Sequence, residues 1–394
     1  MEKSLDRKLA RILAEPSCSE FILADAKDAD MAFGLAAPGR SPEHHAHEAC
    51  FRTLDEYRQM MRDITRQGLV DIMLMSAGSN EVLTIQERLF DDSPVTPAVR
   101  ANDTTDIWLA AGTGRYATQP SRPFRTATID HIQCAKAECS PEERRLGADL
   151  GLYSITFNND AERDLETLDA YRRFRLEAEE KGFRHFLEVF DPNAPGEHAP
   201  EDGGRFLADH IVRALAGVTR RGRPLFLKIP YHGPAAMEAL ARYDRSLIVG
   251  ILGGSAGTTF DAFQMLWEAK KYGARVALYG RKINHSEHQL TFVRYLRAIA
   301  EDQIGPDEAV RAYHADLARL GIQPHRPLEG DLKLTQTATA YSGSATAPPL
   351  RGGRRSVPVC GVSTNGWQPQ PDFSQMSQAE KVRWNLERWR RVLE

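Results

Sequence analysis

The chain has 394 residues, with 51 Lys+Arg against 54 Asp+Glu for a formal net charge of -3, 42% hydrophobic residues and 27% charged residues. This is a globular composition, with length for two or three domains of ~150 residues or one α/β barrel of ~250 residues plus an extension. The balanced charge argues against a dedicated nucleic-acid binder, while leaving room for a local basic pocket for a phosphorylated small molecule.

The N-terminus, MEKSLDRKLARILAEP, reads as a short amphipathic helix. Its charges are spread throughout and it has no apolar h-region, so it does not read as a secretory signal. The longest apolar stretch, Leu247–Gly254, is far short of the ~20 residues of a membrane span. The cysteines (Cys18, Cys50, Cys134, Cys139 and Cys360) are odd in number and scattered. That spacing predicts no disulfide scaffold and a cytoplasmic protein.

Short β-type runs then alternate with longer helical ones. The strands are expected at Phe21–Asp25, Leu69–Ser76, Asp106–Ala110, Gly151–Phe157, Phe186–Phe190, Leu225–Ile229, Leu247–Leu252 and Val276–Tyr279. Helical periodicity marks Asp55–Gln67, Asp160–Lys181, Ala235–Arg242, Phe260–Tyr272 and Gln289–Asp302, with Gly182 and Gly273 at stop positions. Strand–helix alternation implies parallel strands with helical crossovers, and eight units imply a closed (β/α)8 TIM barrel. A doubly wound open sheet is the rival. No G-x-G-x-x-G stands between a strand and a helix and no Walker A motif occurs, so dinucleotide and P-loop chemistry lose their support.

The pattern changes after about residue 305. Asp307–Leu320 reads as a helix, Gly321–Gln370 as a Pro/Gly/Ser/Thr-rich arm, and Ser377–Glu394 as an amphipathic helix carrying Trp384 and Trp389. The expected organisation is a barrel over 1–305 and a C-terminal extension over 306–394. The terminal helix is expected to dock on the barrel or on a neighbouring subunit.

Lys228 carries the most chemistry. In Leu225–Phe226–Leu227–Lys228–Ile229, alternation puts Leu225, Leu227 and Ile229 on one face and Phe226 and Lys228 on the other. The helix-facing side of a barrel strand is apolar, so Lys228 should project into the barrel. Desolvation there favours the neutral amine, a nucleophile able to form a Schiff base with a carbonyl. A snorkelling or ion-paired structural lysine is the alternative. Downstream, Gly253–Gly254–Ser255 follows strand seven and Gly280–Arg281–Lys282 follows strand eight. Glycine-rich loops at these strand ends let backbone N–H groups approach a phosphate.

These segments support a resemblance. FLKIPYHG, then GILGGSAGTTFDAF, then EAKKYGARVALYGRKI resemble the archaeal-type class I fructose-bisphosphate aldolase family in order and spacing. GADLGLYSITFNNDAERD resembles its fourth-strand region, and FLEVFDPN resembles the fifth strand of tagatose-bisphosphate aldolases. The resemblance spans about Glu20 to Asp302 and is strongest from Gly147 onward.

It implies a TIM-barrel aldolase that needs no cofactor or metal and acts on a phosphorylated ketose or related hydroxy-ketone, with oligomers common; a Schiff-base transferase or synthase on the same barrel and a non-catalytic phosphosugar-binding protein are the alternatives. Lys228 would be the Schiff-base lysine and Glu188 an acid/base partner on strand five. Asp25 would be the first-strand aspartate, with Lys27 and Asp28 as close competitors. Gly253, Gly254, Ser255, Gly280 and Arg281 would hold the substrate phosphate. The chain also departs from the pattern. Ala26 stands where relatives carry His-Gly, Phe190–Asp191–Pro192–Asn193 replaces a Tyr-bearing loop, and Ser154, Thr156 and Asn158 occupy the region of a fourth-strand lysine. The proton route or the substrate should therefore differ, with Tyr231 the nearest replacement tyrosine.

Secondary candidates are the histidines His44, His45 and His47 as a Zn²⁺ site or a border of the mouth, Arg115 as a second anion site, and Asn284, His285, Glu287 and His288 as a polar patch after strand eight.

Overall fold

Apolar runs too short to be helices become eight parallel strands: β1 (Ile22–Lys27), β2 (Ile72–Met75), β3 (Thr96–Arg100), β4 (Leu150–Thr156), β5 (Arg184–Phe190), β6 (Leu227–Lys228), β7 (Gly250–Leu252) and β8 (Val276–Tyr279). The structure is a computed structural model and describes residues 1–41, 51–105, 118–196, 199–254 and 257–339. Each strand pairs with its neighbour in sequence and β1 pairs with β8. The ring closes between β6 and β7 through the parallel bridge Ile229–Ile251, with the Ile229 N–H donating to the Gly250 carbonyl at 3.0 Å. The result is a (β/α)8 TIM barrel.

Sequence and structure part at the third strand. Residues 106–110, expected to form it, lie outside the described residues. The place between β2 and β4 is taken by Thr96–Arg100. Pro97 argues against an interior strand when read by pattern, because it has no N–H for the ladder. Helix Gly203–Ala216, between β5 and β6, is a second element that the pattern did not supply.

Alternation along the strands creates two apolar layers. Ile22, Ala24, Ile72, Leu74, Ala98, Leu150, Leu152, Phe186, Phe226, Val276 and Leu278 fill the barrel interior, with the Phe186 and Phe226 rings stacked 4.6 Å apart. The opposite faces meet the helices. The N-terminal helix Ser4–Ala14 closes the N-terminal end of the barrel by inserting Leu5, Leu9 and Ile12 into the inner layer. Lys3 pins it by donating to the carbonyls of Ser93 (2.8 Å) and Val95 (3.1 Å), and buried Lys8 pairs with Asp71 at 2.9 Å.

Helix Pro306–Arg319 packs on helices Thr259–Lys271 and Gln289–Ala300, burying Val310, Tyr313 and Leu317. The following chain includes the short helix Leu328–Asp331 and runs to Thr339, which meets Tyr231 just beyond β6. Cys134 and Cys139 form one local disulfide rather than a scaffold, and Cys18 is a buried free thiol. Among the described residues, no helix is long and apolar enough to cross a membrane.

Candidate active site

The register of β5 and β6 sets Glu188 directly beside Lys228. Both belong to the parity that faces the barrel interior, one step beyond the stacked phenylalanines. Lys228 is 7% exposed and its Nζ lies 2.6 Å from Glu188 Oε1. The expectation of an inward, buried lysine is met in position, and the lysine carries a partner. The other oxygen of Glu188 accepts a hydrogen bond from Ser154 Oγ at 2.6 Å and one from Arg100 Nη2 at 3.4 Å. Arg100 ends β3, donates from Nε to Asp28 Oδ2 at 2.6 Å, and donates from Nη1 to Ser154 Oγ at 3.1 Å. Asp28, Arg100, Glu188 and Lys228 therefore form one continuous buried network of two carboxylates and two cations.

The electrostatics follow from that arrangement. Burial pushes the Asp28 carboxyl upward, but Arg100 and then Lys228 outweigh it and hold the group below the usual carboxylate range. Burial disfavours the Arg100 charge, yet Asp28 and Glu188 more than offset this and keep the guanidinium protonated. Asp103, just beyond β3, is pushed up to about 6 by burial, against the pull of Arg100. The backbone beside Arg100 is fixed by Asn102, which donates to the Ser154 carbonyl at 2.8 Å and accepts from its N–H at 2.6 Å.

These groups line a cavity at the C-terminal end of the strands. Asp28, Arg100, Glu188 and Lys228 line one part, Gly253, Gly254, Gly280 and Arg281 another, and Phe33, Phe190 and Leu252 supply apolar wall. Lys228 and the two glycine turns thus face one space. Ser255 lies outside the described residues. The glycines are sterically required. A Cβ on Gly253 would meet the Tyr279 ring at 2.2 Å, and one on Gly280 would meet the Ala26 carbonyl at 2.5 Å. The Arg281 guanidinium sits over the Phe33 ring, 5.3 Å from its centre.

The next helix offers less to an anion than its position suggests. Asp331 Oδ1 accepts the Thr259 N–H at 2.8 Å, and Asp261 Oδ2 accepts the Thr258 N–H at 2.7 Å. The protein's own carboxylates therefore occupy the first donors of helix Thr259–Lys271.

Asp25 is placed elsewhere. It faces outward from the barrel, fully buried, with Oδ2 2.9 Å from Lys27 Nζ, and Lys27 also donates to Asn284. The β1-end acid that reaches the cavity is Asp28. Asn284 belongs to that outward cluster with Tyr57. His288 caps helix Gln289–Ala300, and Glu287 accepts from the Tyr313 hydroxyl. Tyr231 donates to Glu268 at 2.7 Å and does not line the cavity. His44, His45, His47 and Arg115 lie outside the described residues, among which no cluster suited to a metal ion occurs. The main residue that sequence reading missed is Arg100. Its only signal is the inward parity it shares with Ala98.

No protein-family model matches the chain, and no curated protein matches it in sequence. Solved structures do. An archaeal fructose 1,6-bisphosphate aldolase superposes with a TM-score of 0.53 at 14% identity, over 75% of this chain and 99% of that one. A Schiff-base-forming fructose-1,6-bisphosphate aldolase, analysed through its reaction intermediates, gives 0.52 at 17% identity, over 76% and 100%. An archaeal aldolase with its catalytic lysine covalently bound to the carbinolamine intermediate gives 0.52 at 16% identity, over 75% and 99%. The chain has the TIM-barrel fold seen in archaeal class I fructose-bisphosphate aldolases.

Proposed function

We propose that this protein is a Schiff-base-forming carbon–carbon lyase acting on a phosphorylated ketose or a related hydroxy-ketone. The observation that carries the reading is the buried Lys228–Glu188 pair, 2.6 Å apart, in one cavity with the Gly253–Gly254 and Gly280–Arg281 turns. In this reading Glu188 Oε1 takes a proton from the Lys228 ammonium, and the neutral amine adds to the substrate carbonyl carbon. The added nitrogen passes a proton to the alkoxide oxygen to give the carbinolamine, and protonated Glu188 gives its own proton to that hydroxyl, which leaves as water and yields the iminium. Asp28, held ionised by Arg100, is the second carboxylate in the cavity and takes the proton of the substrate hydroxyl. The carbon–carbon bond then breaks, its electron pair flows into the iminium to give an enamine, and an aldehyde departs. Protonation of the enamine carbon and hydrolysis release the ketone and free Lys228. The glycine turns and Arg281 receive the phosphate.

Reductive trapping tests this. With dihydroxyacetone phosphate as probe and borohydride present, the intact mass should rise by one reduced adduct, mapping to Lys228 and absent in Lys228→Met. Lys282 is the internal competitor. Burial and then Arg326 lower its amine to about 8, and it donates to the carbonyls of Gly257 (2.8 Å) and Thr258 (2.9 Å). An adduct on Lys282, or none with phosphorylated or unphosphorylated ketones, rejects the assignment.

A further inference from the structure

We propose that residues 331–339 of the C-terminal extension are a working part of the cavity rim, and that Thr339 is a positioning residue for the anion-binding turn at Gly254. This deepens the functional reading above and rests on it.

The segment is stitched to the barrel along its length. Asp331 is buried, accepting from the Thr259 N–H at 2.8 Å and lying 3.0 Å from His314 Nε2. The Lys333 carbonyl accepts from Thr258 Oγ1 at 2.8 Å. Asp261 accepts from the N–H groups of Thr335 (2.6 Å) and Gln336 (3.1 Å), while its second oxygen takes the Thr335 hydroxyl. Burial opposes the charge on Asp261, but these donors outweigh it.

The last described residue makes the decisive contacts. The Thr339 N–H donates to the Tyr231 carbonyl at 3.0 Å, and Thr339 Oγ1 accepts the Tyr231 N–H at 2.7 Å. Tyr231 stands three residues after Lys228. The methyl of the same side chain lies over Gly254, where an added Cβ would come within 3.1 Å of it. Gly254 lines the cavity and has a φ of +62°, which glycine adopts without strain. One buried threonine thus ties the chain beyond the lysine strand to the turn proposed to receive the phosphate. The hydroxyl holds one side and the methyl the other. The helix N-terminus next to that turn is already filled by Asp331 and Asp261. The anion must then rely on the turn itself, so its placement matters more.

The test uses the full chain and borohydride trapping of dihydroxyacetone phosphate, titrated to half-saturation. Thr339→Val keeps the methyl and removes the acceptor for the buried Tyr231 N–H. One lost neutral hydrogen bond corresponds to roughly a five-fold change. The half-saturating concentration should therefore rise about that much at an unchanged plateau, while Thr339→Ser, which keeps the hydroxyl, stays nearer the wild type. Faster amide exchange at Tyr231 and Gly254 in the valine variant should accompany the shift. Equal half-saturation in Val and wild type overturns the proposal. If the wild-type chain forms no adduct, the aldolase reading fails, and exchange at Gly254 together with inorganic phosphate binding judges the strap. Unchanged values in the valine variant then reject it. Should Thr339→Val not fold, Thr335→Val makes the same comparison from the Asp261 anchor.

Discussion

Removing Arg100 tests the logic of the buried network. Arg100→Met keeps most of the side-chain length while deleting the charge that faces Asp28 at 2.6 Å and Glu188 at 3.4 Å. The three groups are almost solvent-free, so the loss leaves two acids to share one lysine in a poorly solvated interior. Breaking a buried pair by removing one partner costs about 3–5 kcal/mol. That should appear in urea unfolding followed by circular dichroism at pH 7. The pH dependence gives the prediction its signature. In the wild type the folded Asp28 carboxyl lies below its unfolded value of ~3.9. Its stabilising contribution is therefore present above that pH and is lost only as pH falls through the folded value. Without Arg100, the burial effect dominates and lifts the folded value above the unfolded one. Charged Asp28 then destabilises the fold at neutral pH, and the penalty fades on acidification. The gap between variant and wild type should narrow from pH 7 towards pH 5, and Arg100→Met/Asp28→Asn should recover part of it. A single variant within about 1 kcal/mol of wild type, with a difference that does not vary with pH, would show that Arg100 does not compensate these acids.

Two further outcomes follow from the geometry. Glu188→Gln preserves the shape of the side chain but cannot take the proton of Lys228, so trapping should slow by ~10²–10⁴-fold, as for loss of an acid/base group, with little change in the circular dichroism spectrum. A trapping rate equal to wild type would remove Glu188 from the proton route. Buried His185, 2.9 Å from the Tyr171 hydroxyl, is lowered to about 3 by burial. Because the unfolded chain protonates first, stability should fall as pH drops below ~6.5, with a slope approaching 1.4 kcal/mol per pH unit until about 3. His185→Gln should flatten that slope in unfolding curves from pH 7 to 4, and an unchanged slope would contradict the assignment.

The sequence makes Lys228 legible because its strand alternates cleanly and the strand's outer face is apolar. The same rule does not hold at β1, where Asp25 is named from the family resemblance and not from alternation. Asp25 and Lys27 both point away from the barrel interior, yet they are fully buried because each neutralises the other. A buried ion pair on the helix-facing side breaks the assumption that this side is apolar, and of the β1-end acids named from the resemblance it is the competitor Asp28 that lines the cavity. Arg100 was hidden differently. Its strand contains Pro97 and shows little periodicity, and its function comes from partners 72 and 88 residues away in the chain. The strap was unreadable for a third reason. Its interactions pair backbone groups with short polar side chains at caps and turns, which leave no hydrophobic rhythm.

The helix plugging the N-terminal end has a kinetic consequence. With Leu5, Leu9 and Ile12 filling that floor, the described residues leave the chamber around Lys228 no way out through the N-terminal end. For the proposed cleavage, one fragment stays bonded to the lysine until hydrolysis, while the other is held by no covalent bond. Departure is then sequential, the aldehyde first and the ketone last, and only the ketone meets an empty chamber and competes directly with incoming substrate.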